Sequence, residues 1–301
     1  GYYNMGDMAG TISGSFTYFS MGAVQLVDYS GTAFQEAHPN EWAIDVAYSR
    51  KLHEYVSMAV ALRFLYSDLN NGVNASVSGA SQEMHPAWTM AADVSLYYKQ
   101  PISLPMGESY FGLGFNLSNL GGKMTYDDYV SNFIPANMRL GVSYEVPFDN
   151  YNRLMATVEC NKMLVPTSKS KYAVYENGTA IPNGDPLTEW YSSISSTKGW
   201  FQSFNDAPGG SLEEFQEVQW GVGLEYSYNR QFFGRVGYSH ENFYKGNRRY
   251  VTLGAGFHLS IFSLDFAYCI ATAPSNPLDQ TMRFTLGFDL AGIKDLVNNR
   301  K

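Results

Sequence analysis

The sequence is poor in charged residues and cysteine, and it lacks any long apolar run. Charged side chains make up 16% of the 301 residues, against about 25% in typical soluble domains. No stretch approaches the roughly 20 apolar residues that a membrane-spanning helix needs. The only cysteines, Cys160 and Cys269, have no metal-ligand spacing, and a net charge of -8 argues against a nucleic-acid partner. These scarcities exclude a helical membrane protein, and we expect no metal, no other cofactor and no nucleic acid.

Aromatic residues and glycine are abundant instead, with 23 Tyr, 19 Phe and 28 Gly. Apolar side chains recur at every second position in roughly twelve segments, which is the period of a β-strand. In residues 136–146, for example, Met138 and Leu140 alternate with Arg139 and Glu145. Each segment is about long enough to cross a bilayer as a tilted strand of about 9–11 residues. The pattern predicts an all-β protein, a transmembrane antiparallel up-and-down β-barrel. The segments lie near residues 11–24, 41–50, 54–67, 87–99, 109–118, 136–146, 151–163, 216–228, 231–239, 249–259, 262–271 and 280–290.

The connections alternate between short and long, which is typical of periplasmic turns and extracellular loops. Residues 147–151 form a short connection, whereas residues 164–215 form a long one. Residues 1–3 are interpreted as the end of a descending strand, followed by a periplasmic turn. Twelve whole strands and this partial one cannot close into a barrel with both chain ends in the periplasm. We therefore expect N-terminal strands to be missing and a barrel of about 14 strands. Residues 1–301 are predicted to form a single outer-membrane barrel domain.

The polar face of these strands is predicted to line the lumen, because charged side chains facing hydrocarbon are costly. Both signs of charge occur on that face, so a paired network is expected. The network either braces and hydrates the wall or forms a selective conduit for a charged solute. Its predicted members are Arg63, Asp93, Arg139, Glu145, Glu225, Arg235 and Arg283.

Catalytic residues are not expected. No Gly-x-Ser-x-Gly, His-Glu-x-x-His or phosphate-binding loop occurs in the sequence. The pair His240–Glu241 could form half of an acid/base site, but solvated histidines in outer loops are the simpler interpretation. The protein is therefore predicted not to be an enzyme.

The long segment 164–215 carries the most informative loop chemistry. Loops beyond about 15 residues are usually functional or disordered, and exposed large rings often mark protein contacts. The alternative is that the loop folds into the barrel mouth and packs on itself, and both can hold. The predicted partner-binding residues are Trp190, Tyr191, Trp200, Phe201, Phe204 and Asp206.

Residues 204–217, 238–250 and 276–284 resemble the PorV family, also called LptO, of the Bacteroidetes type IX secretion system. Residues 40–52 are also similar to it. The resemblance implies a barrel like the FadL transporters in the outer membrane and a non-enzymatic role. Members of this family act as shuttles that receive cargo by its C-terminal domain at the translocon barrel, Sov or SprA. They pass it to an attachment complex containing the PorU sortase, PorQ and PorZ, where cargo can be linked to anionic lipopolysaccharide.

A FadL-like transporter of hydrophobic small molecules is the alternative function. A transporter should have an apolar internal pocket and an N-terminal hatch, whereas the inferred lumen of this chain is charged. The charged interior therefore favours the secretion role.

Overall fold

The computed structural model describes most of the 301-residue chain. The described residues are 1–6, 9–27, 30–31, 33–69, 71, 85–126, 131–167, 193–207, 209–259, 261–274, 276–290 and 292. Trp190 and Tyr191, two of the predicted partner-binding residues, lie outside this part.

Seventeen strands and three short helical segments make up the described secondary structure. The strands are β1 Tyr2–Asn4, β2 Thr11–Ser20, β3 Val24–Val27, β4 Ala33–Ala37, β5 Asn40–Lys51, β6 Val56–Asp68, β7 Ala87–Leu104, β8 Gly107–Gly121, β9 Lys123–Thr125, β10 Ser131–Phe133, β11 Asn137–Pro147, β12 Asn152–Met163, β13 Gln219–Tyr228, β14 Phe232–His240, β15 Tyr250–His258, β16 Phe262–Ala271 and β17 Met282–Phe288. The helices are α1 Ser196–Gln202 and α2 Ser211–Gln216, with a 3-10 helix at Phe243–Lys245. No helix in the described part is long and apolar enough to cross a membrane.

Thirteen of the strands form one large antiparallel sheet in the order β1-β2-β5-β6-β7-β8-β11-β12-β13-β14-β15-β16-β17. Strands that follow one another along the chain are neighbours in the sheet, apart from the small hairpins β3–β4 and β9–β10. The predicted all-β, up-and-down class is confirmed. Among the described strands, β1 and β17 are the two edges of the sheet and do not pair with each other. The total of about fourteen strands stays a prediction.

Alternation gives each strand one apolar and one polar side, because successive side chains of a strand point to opposite faces. In β13, Val222 and Leu224 are exposed, and Glu225 lies on the opposite face. Exposed aliphatic side chains at alternate positions are what a lipid-facing surface requires.

One predicted connection is shorter in the structure. The predicted segments 87–99 and 109–118 leave residues 100–108 as their connection, but β7 and β8 continue until only Pro105 and Met106 separate them. Gly107 follows the turn with a φ of 132°, a conformation that glycine adopts without the steric cost of a Cβ atom.

Contacts between Cα atoms divide the chain into two compact units. The first unit comprises residues 1–96, 116–138 and 163–214. Its buried cluster of Ala87, Ala91, Met124 and Ile134 packs the segment around the β9–β10 hairpin against β7. A Cβ atom at Gly121 would overlap the Met90 carbonyl oxygen and lie 2.8 Å from Ala91 Cβ. Glycine at this position therefore allows the end of β8 to approach β7 closely.

The second unit comprises residues 97–115, 139–162 and 215–301. Its strands β12 to β17 pair in sequence order, with Glu225 directly opposite Arg235 across β13 and β14. Opposite charges at facing positions of an antiparallel pair stabilise that register. The expectation of a single domain over residues 1–301 stays a prediction.

Candidate partner-binding surface

The described part of the predicted long loop is folded against the first unit. Helix α1 begins after Ser195, whose hydroxyl accepts a hydrogen bond from Lys198 N, as an N-capping serine does. Gly199 is buried, and a Cβ atom there would lie 2.7 Å from Phe133 Cε1 and 3.2 Å from Pro166 Cδ. Glycine thus lets α1 pack directly on β10. The described loop residues are packed structure, in line with the self-packing alternative considered for this loop.

Asp206 holds this loop together. Its carboxylate accepts hydrogen bonds from Thr167 N at 2.8 Å and Thr167 Oγ1 at 3.2 Å. Its own backbone N–H and that of Ala207 donate to Glu214 Oε1, at 2.6 and 2.8 Å. The carboxylate therefore joins the start of the loop to its helical end, which is a structural role inside the loop.

Large apolar side chains remain on the outside of this framework. Phe201 is 79% exposed and Leu212 is 72% exposed, and Phe204 is also exposed. Trp200, by contrast, is half-buried. We refer to Phe201, Phe204 and Leu212 as the loop surface. Leu212 was not singled out from the sequence, although it lies within the stretch 204–217 that resembles the PorV family.

The polar face of the first unit contains an ion cluster centred on Arg63. Its guanidinium contacts the carboxylates of Asp45 and Asp93, the latter at 3.1 Å, and the side-chain oxygen of Asn119. Asn119 N in turn donates to Asp93 Oδ1 at 2.7 Å. One cation thus joins β5, β6, β7 and the end of β8.

Two further arginines form ion pairs on the polar face of the second unit. Arg153 pairs with Glu145, and its Nη2 donates to the Glu108 carbonyl oxygen at 3.2 Å. Arg235 contacts Glu225 at 2.6 Å and Asp265 at 2.5 Å, which bridges β13, β14 and β16. Glu145, Glu225 and Arg235 were predicted to share the polar face, and the structure brings each of them into contact with an oppositely charged side chain.

Arg139 and Arg283 differ from the other predicted network members. Both are exposed, and neither has an ion-pair partner among the described residues. Arg283 does line a small cavity with Arg235 and Asp265. The described contacts are those expected of a braced wall, because each half-buried carboxylate of these clusters pairs with a guanidinium that bridges two or more strands.

A second cluster lies at the end of β14 in the second unit and was missed by sequence reasoning. Glu241 is only 3% exposed and accepts from Arg248 Nε at 2.8 Å, Arg248 Nη2 at 2.7 Å and Gln219 Nε2 at 2.6 Å. Burial alone would raise the pKa of the Glu241 carboxyl, but the hydrogen bonds and charge of Arg248 lower it below its ordinary value. Glu241 is therefore held as a carboxylate. His240 instead stacks on Trp220 with ring centroids 4.9 Å apart, so the two neighbours are held by different partners.

In the part of the chain that the structure describes, no group of three or more His, Cys, Asp or Glu residues is placed to hold a metal ion.

A large antiparallel sheet with an exposed apolar face and an ion-paired polar face is the architecture of an outer-membrane protein. The family model described as type IX secretion system protein PorV matches residues 1–170. This is more than half of the chain, and the chain therefore belongs to the PorV family. It is an outer-membrane component of the type IX secretion system.

Several solved structures are similar to the chain. The toluene transporter TodX of P. putida shares 10% identity at a TM-score of 0.41, covering 86% of this chain and 71% of TodX. A FadL homologue of Pseudomonas aeruginosa shares 10% identity at a TM-score of 0.40, covering 90% of this chain and 69% of that protein. None of the curated proteins compared with the sequence matches it.

Proposed function

We propose that the protein is a non-enzymatic shuttle that binds the C-terminal domain of secreted cargo at the translocon barrel and delivers it to the attachment complex. The translocon barrel is Sov or SprA, and the attachment complex contains PorU, PorQ and PorZ. The observation that carries the proposal is the loop surface, which combines exposed apolar side chains with a rigid support. Cleavage of cargo belongs to the sortase in this scheme, and linkage of cargo to lipopolysaccharide takes place after delivery.

Rigid support matters because ordering a flexible loop on binding would cost free energy at every immobilised side chain. Here residues 193–207 of the loop are already held in place, by the packing of Gly199 on Phe133 and by the Asp206 hydrogen bonds. Aromatic side chains presented in this way typically account for most of the binding energy at a protein interface. The loop surface therefore suits the reversible capture of a folded domain.

The experiment is to purify the tagged protein from the outer membrane and quantify the cargo C-terminal domains that accompany it. The double variant Phe201→Ser/Phe204→Ser should capture at least about tenfold less cargo, since each lost ring costs roughly 1–2 kcal/mol at an interface hot spot. Phe148→Ser is the matched control, because Phe148 is exposed in a short connection that is predicted to be periplasmic. Equal capture by all three proteins would contradict the assignment of the loop surface.

An apolar cavity supports the second candidate function, transport of hydrophobic small molecules. The cavity, in the first unit, has a volume of about 250 Å³ and is lined by Phe19, Leu65, Met124 and Ile134, with Glu41 and Asn119 as polar members. Small-molecule sites usually measure about 300–1,000 Å³, so this cavity is small for a transport substrate. Lipid in the purified protein without any cargo would favour transport over the shuttle role.

A further inference from the structure

Two exposed aromatic rings project from the connection between β14 and β15. Phe243 is 65% exposed and Tyr244 is 79% exposed, and their rings meet edge to face with centroids 5.3 Å apart. We refer to these two residues as the aromatic knob. They lie on the 3-10 helix Phe243–Lys245, which Asn242 caps by accepting a hydrogen bond from Tyr244 N at 2.9 Å.

The backbone that carries the knob is clamped at both ends. Glu241 precedes the knob and Arg248 follows it, and their side chains are joined by two hydrogen bonds. Arg248 N also donates to Glu241 Oε2 at 2.9 Å. Asn161 donates to Gln219, and Gln219 donates to Glu241, at 3.1 and 2.6 Å. The clamp therefore extends from the loop across β14 and β13 to β12.

A second ionic link runs beside the first. Glu217 accepts from Lys162 Nζ at 2.8 Å and from Lys245 Nζ at 2.9 Å. Lys162 is 7% exposed, so this carboxylate and its two cations form a largely buried bridge. A loop held this firmly loses little conformational entropy when its tip is bound.

The strand residues that anchor the aromatic knob lie on the polar face of the sheet. Asn161 and Gln219 alternate along β12 and β13 with Cys160 and Trp220, which lie on the apolar face. Because the clamp is built from the polar-face residues, the loop is anchored away from the surface that meets lipid. This placement favours a protein partner over the membrane.

The charge around the knob is positive. Residues 242–249 contain Lys245, Arg248 and Arg249 and no acidic residue. Lys245 and Lys162 pair with Glu217, and Arg248 pairs with Glu241. With Arg249, four cations therefore meet two carboxylates, and the cluster keeps a net positive charge. The Arg248 side chain is about half exposed. Arg249 has no ion-pair partner among the described residues, and its Nε is buried without a hydrogen bond to any of them. A complementary partner surface must therefore carry carboxylates around the site that accepts the rings.

We propose that the aromatic knob docks into an apolar pocket rimmed by Asp and Glu side chains on a protein of the secretion machinery other than the cargo. The inference rests on the proposed shuttle function, since it gives the shuttle a second contact made by residues other than those of the loop surface. The knob and the loop surface belong to different compact units of the chain, so each can be tested while the other is intact.

The test places the photoreactive amino acid benzoylphenylalanine at position 244 in the full-length protein in living cells. After irradiation, the cross-linked peptide is identified by mass spectrometry. The expected product is a non-cargo protein cross-linked at apolar residues that have Asp or Glu neighbours. The Phe243→Ser/Tyr244→Ser variant should recover at least about tenfold less of that protein, and raised salt should lower its recovery from the wild type.

The outcomes separate this inference from the shuttle proposal. Phe201→Ser/Phe204→Ser should lose cargo and keep the position-244 cross-link, whereas the knob variant should keep cargo and lose the machinery protein. A wild-type protein that captures no cargo refutes the shuttle role and leaves the cross-link to be judged separately. Cross-links only to lipopolysaccharide, to cargo or to a second copy of this chain would overturn the knob proposal, as would unchanged recovery of the partner by the knob variant.

Discussion

Removal of the Arg63 guanidinium tests whether the ion clusters brace the wall of the sheet. Arg63 joins Asp45, Asp93 and Asn119, and the side chains of both aspartates are only 15% exposed. The Arg63→Ala variant therefore leaves two poorly solvated carboxylates without their shared cation. Breaking a fully buried pair costs about 3–5 kcal/mol, and some residual solvation lowers our expectation to about 2–4 kcal/mol.

The measurement is the thermal unfolding of the detergent-solubilised protein. Each kcal/mol moves the midpoint of a large domain by about 2–4 °C, so Arg63→Ala should melt roughly 4–16 °C below the wild type. The melting temperature of Arg63→Lys should lie between those of the wild type and Arg63→Ala, since one ammonium group cannot span the acceptors that a guanidinium reaches. Arg283→Ala is the matched control, because Arg283 is exposed and has no ion pair among the described residues.

The bracing interpretation predicts a clear difference between these two alanine variants. Arg283→Ala should stay within about 0.5 kcal/mol of the wild type, as exposed substitutions usually do. If Arg63→Ala unfolds at the same temperature as Arg283→Ala, the cluster does not stabilise the sheet and the reasoning is wrong.

Three other predictions concern single residues. Gly121→Ala should destabilise the protein by about 1–3 kcal/mol, because the added Cβ overlaps the Met90 carbonyl oxygen. Gly114→Ala should melt at the wild-type temperature, because its Cβ meets nothing within 4 Å. Equal melting temperatures of the two variants would contradict the close approach of β8 to β7. Asp206→Ala removes both Thr167 contacts and should speed proteolysis of residues 193–207, and an unchanged cleavage rate would show that these hydrogen bonds do not hold the loop. The pKa of the Glu241 carboxyl is lowered from its ordinary 4.5. The carboxylate should therefore stabilise residues 241–249 fully at pH values above 4.5, and this stabilisation should be lost as the pH falls through the lower pKa of the folded protein. Hydrogen exchange of this loop should show that loss in the wild type but not in Glu241→Gln.

The strands of the large sheet could be predicted because apolar and polar residues that alternate along a long segment indicate a strand rather than a helix. All twelve predicted segments correspond to strands of that sheet. The hairpin strands β9 and β10 are three residues each, and alternation over so few residues cannot be distinguished from chance. Helices α1 and α2 are also too short to show the helical period.

Some of the ion pairs were also within reach of the sequence. Asp45 lies directly opposite Arg63, and Glu225 lies directly opposite Arg235. In an antiparallel hairpin the turn sets the register, so counting outward from each turn would have identified both pairs. Arg63, Glu225 and Arg235 were predicted to lie on the polar face, but without their cross-strand partners.

The loop contacts could not be predicted in the same way. The Asp206–Thr167 link joins residues separated by 39 positions, and the Gln219–Glu241 link joins the start of β13 to the residue after β14. No periodicity relates such residues, because the approach of loops depends on how whole elements pack. The aromatic knob was therefore overlooked, although its residues lie within the stretch 238–250 that resembles the PorV family.

The most direct test of the shuttle function is a binding titration between the purified full-length protein and an isolated cargo C-terminal domain. We predict saturable binding by the wild type and by Phe148→Ser, and at least about tenfold weaker binding by Phe201→Ser/Phe204→Ser. Failure of the wild-type protein to bind any cargo C-terminal domain, with lipid retained instead in the apolar cavity beside Met124 and Ile134, would contradict the account.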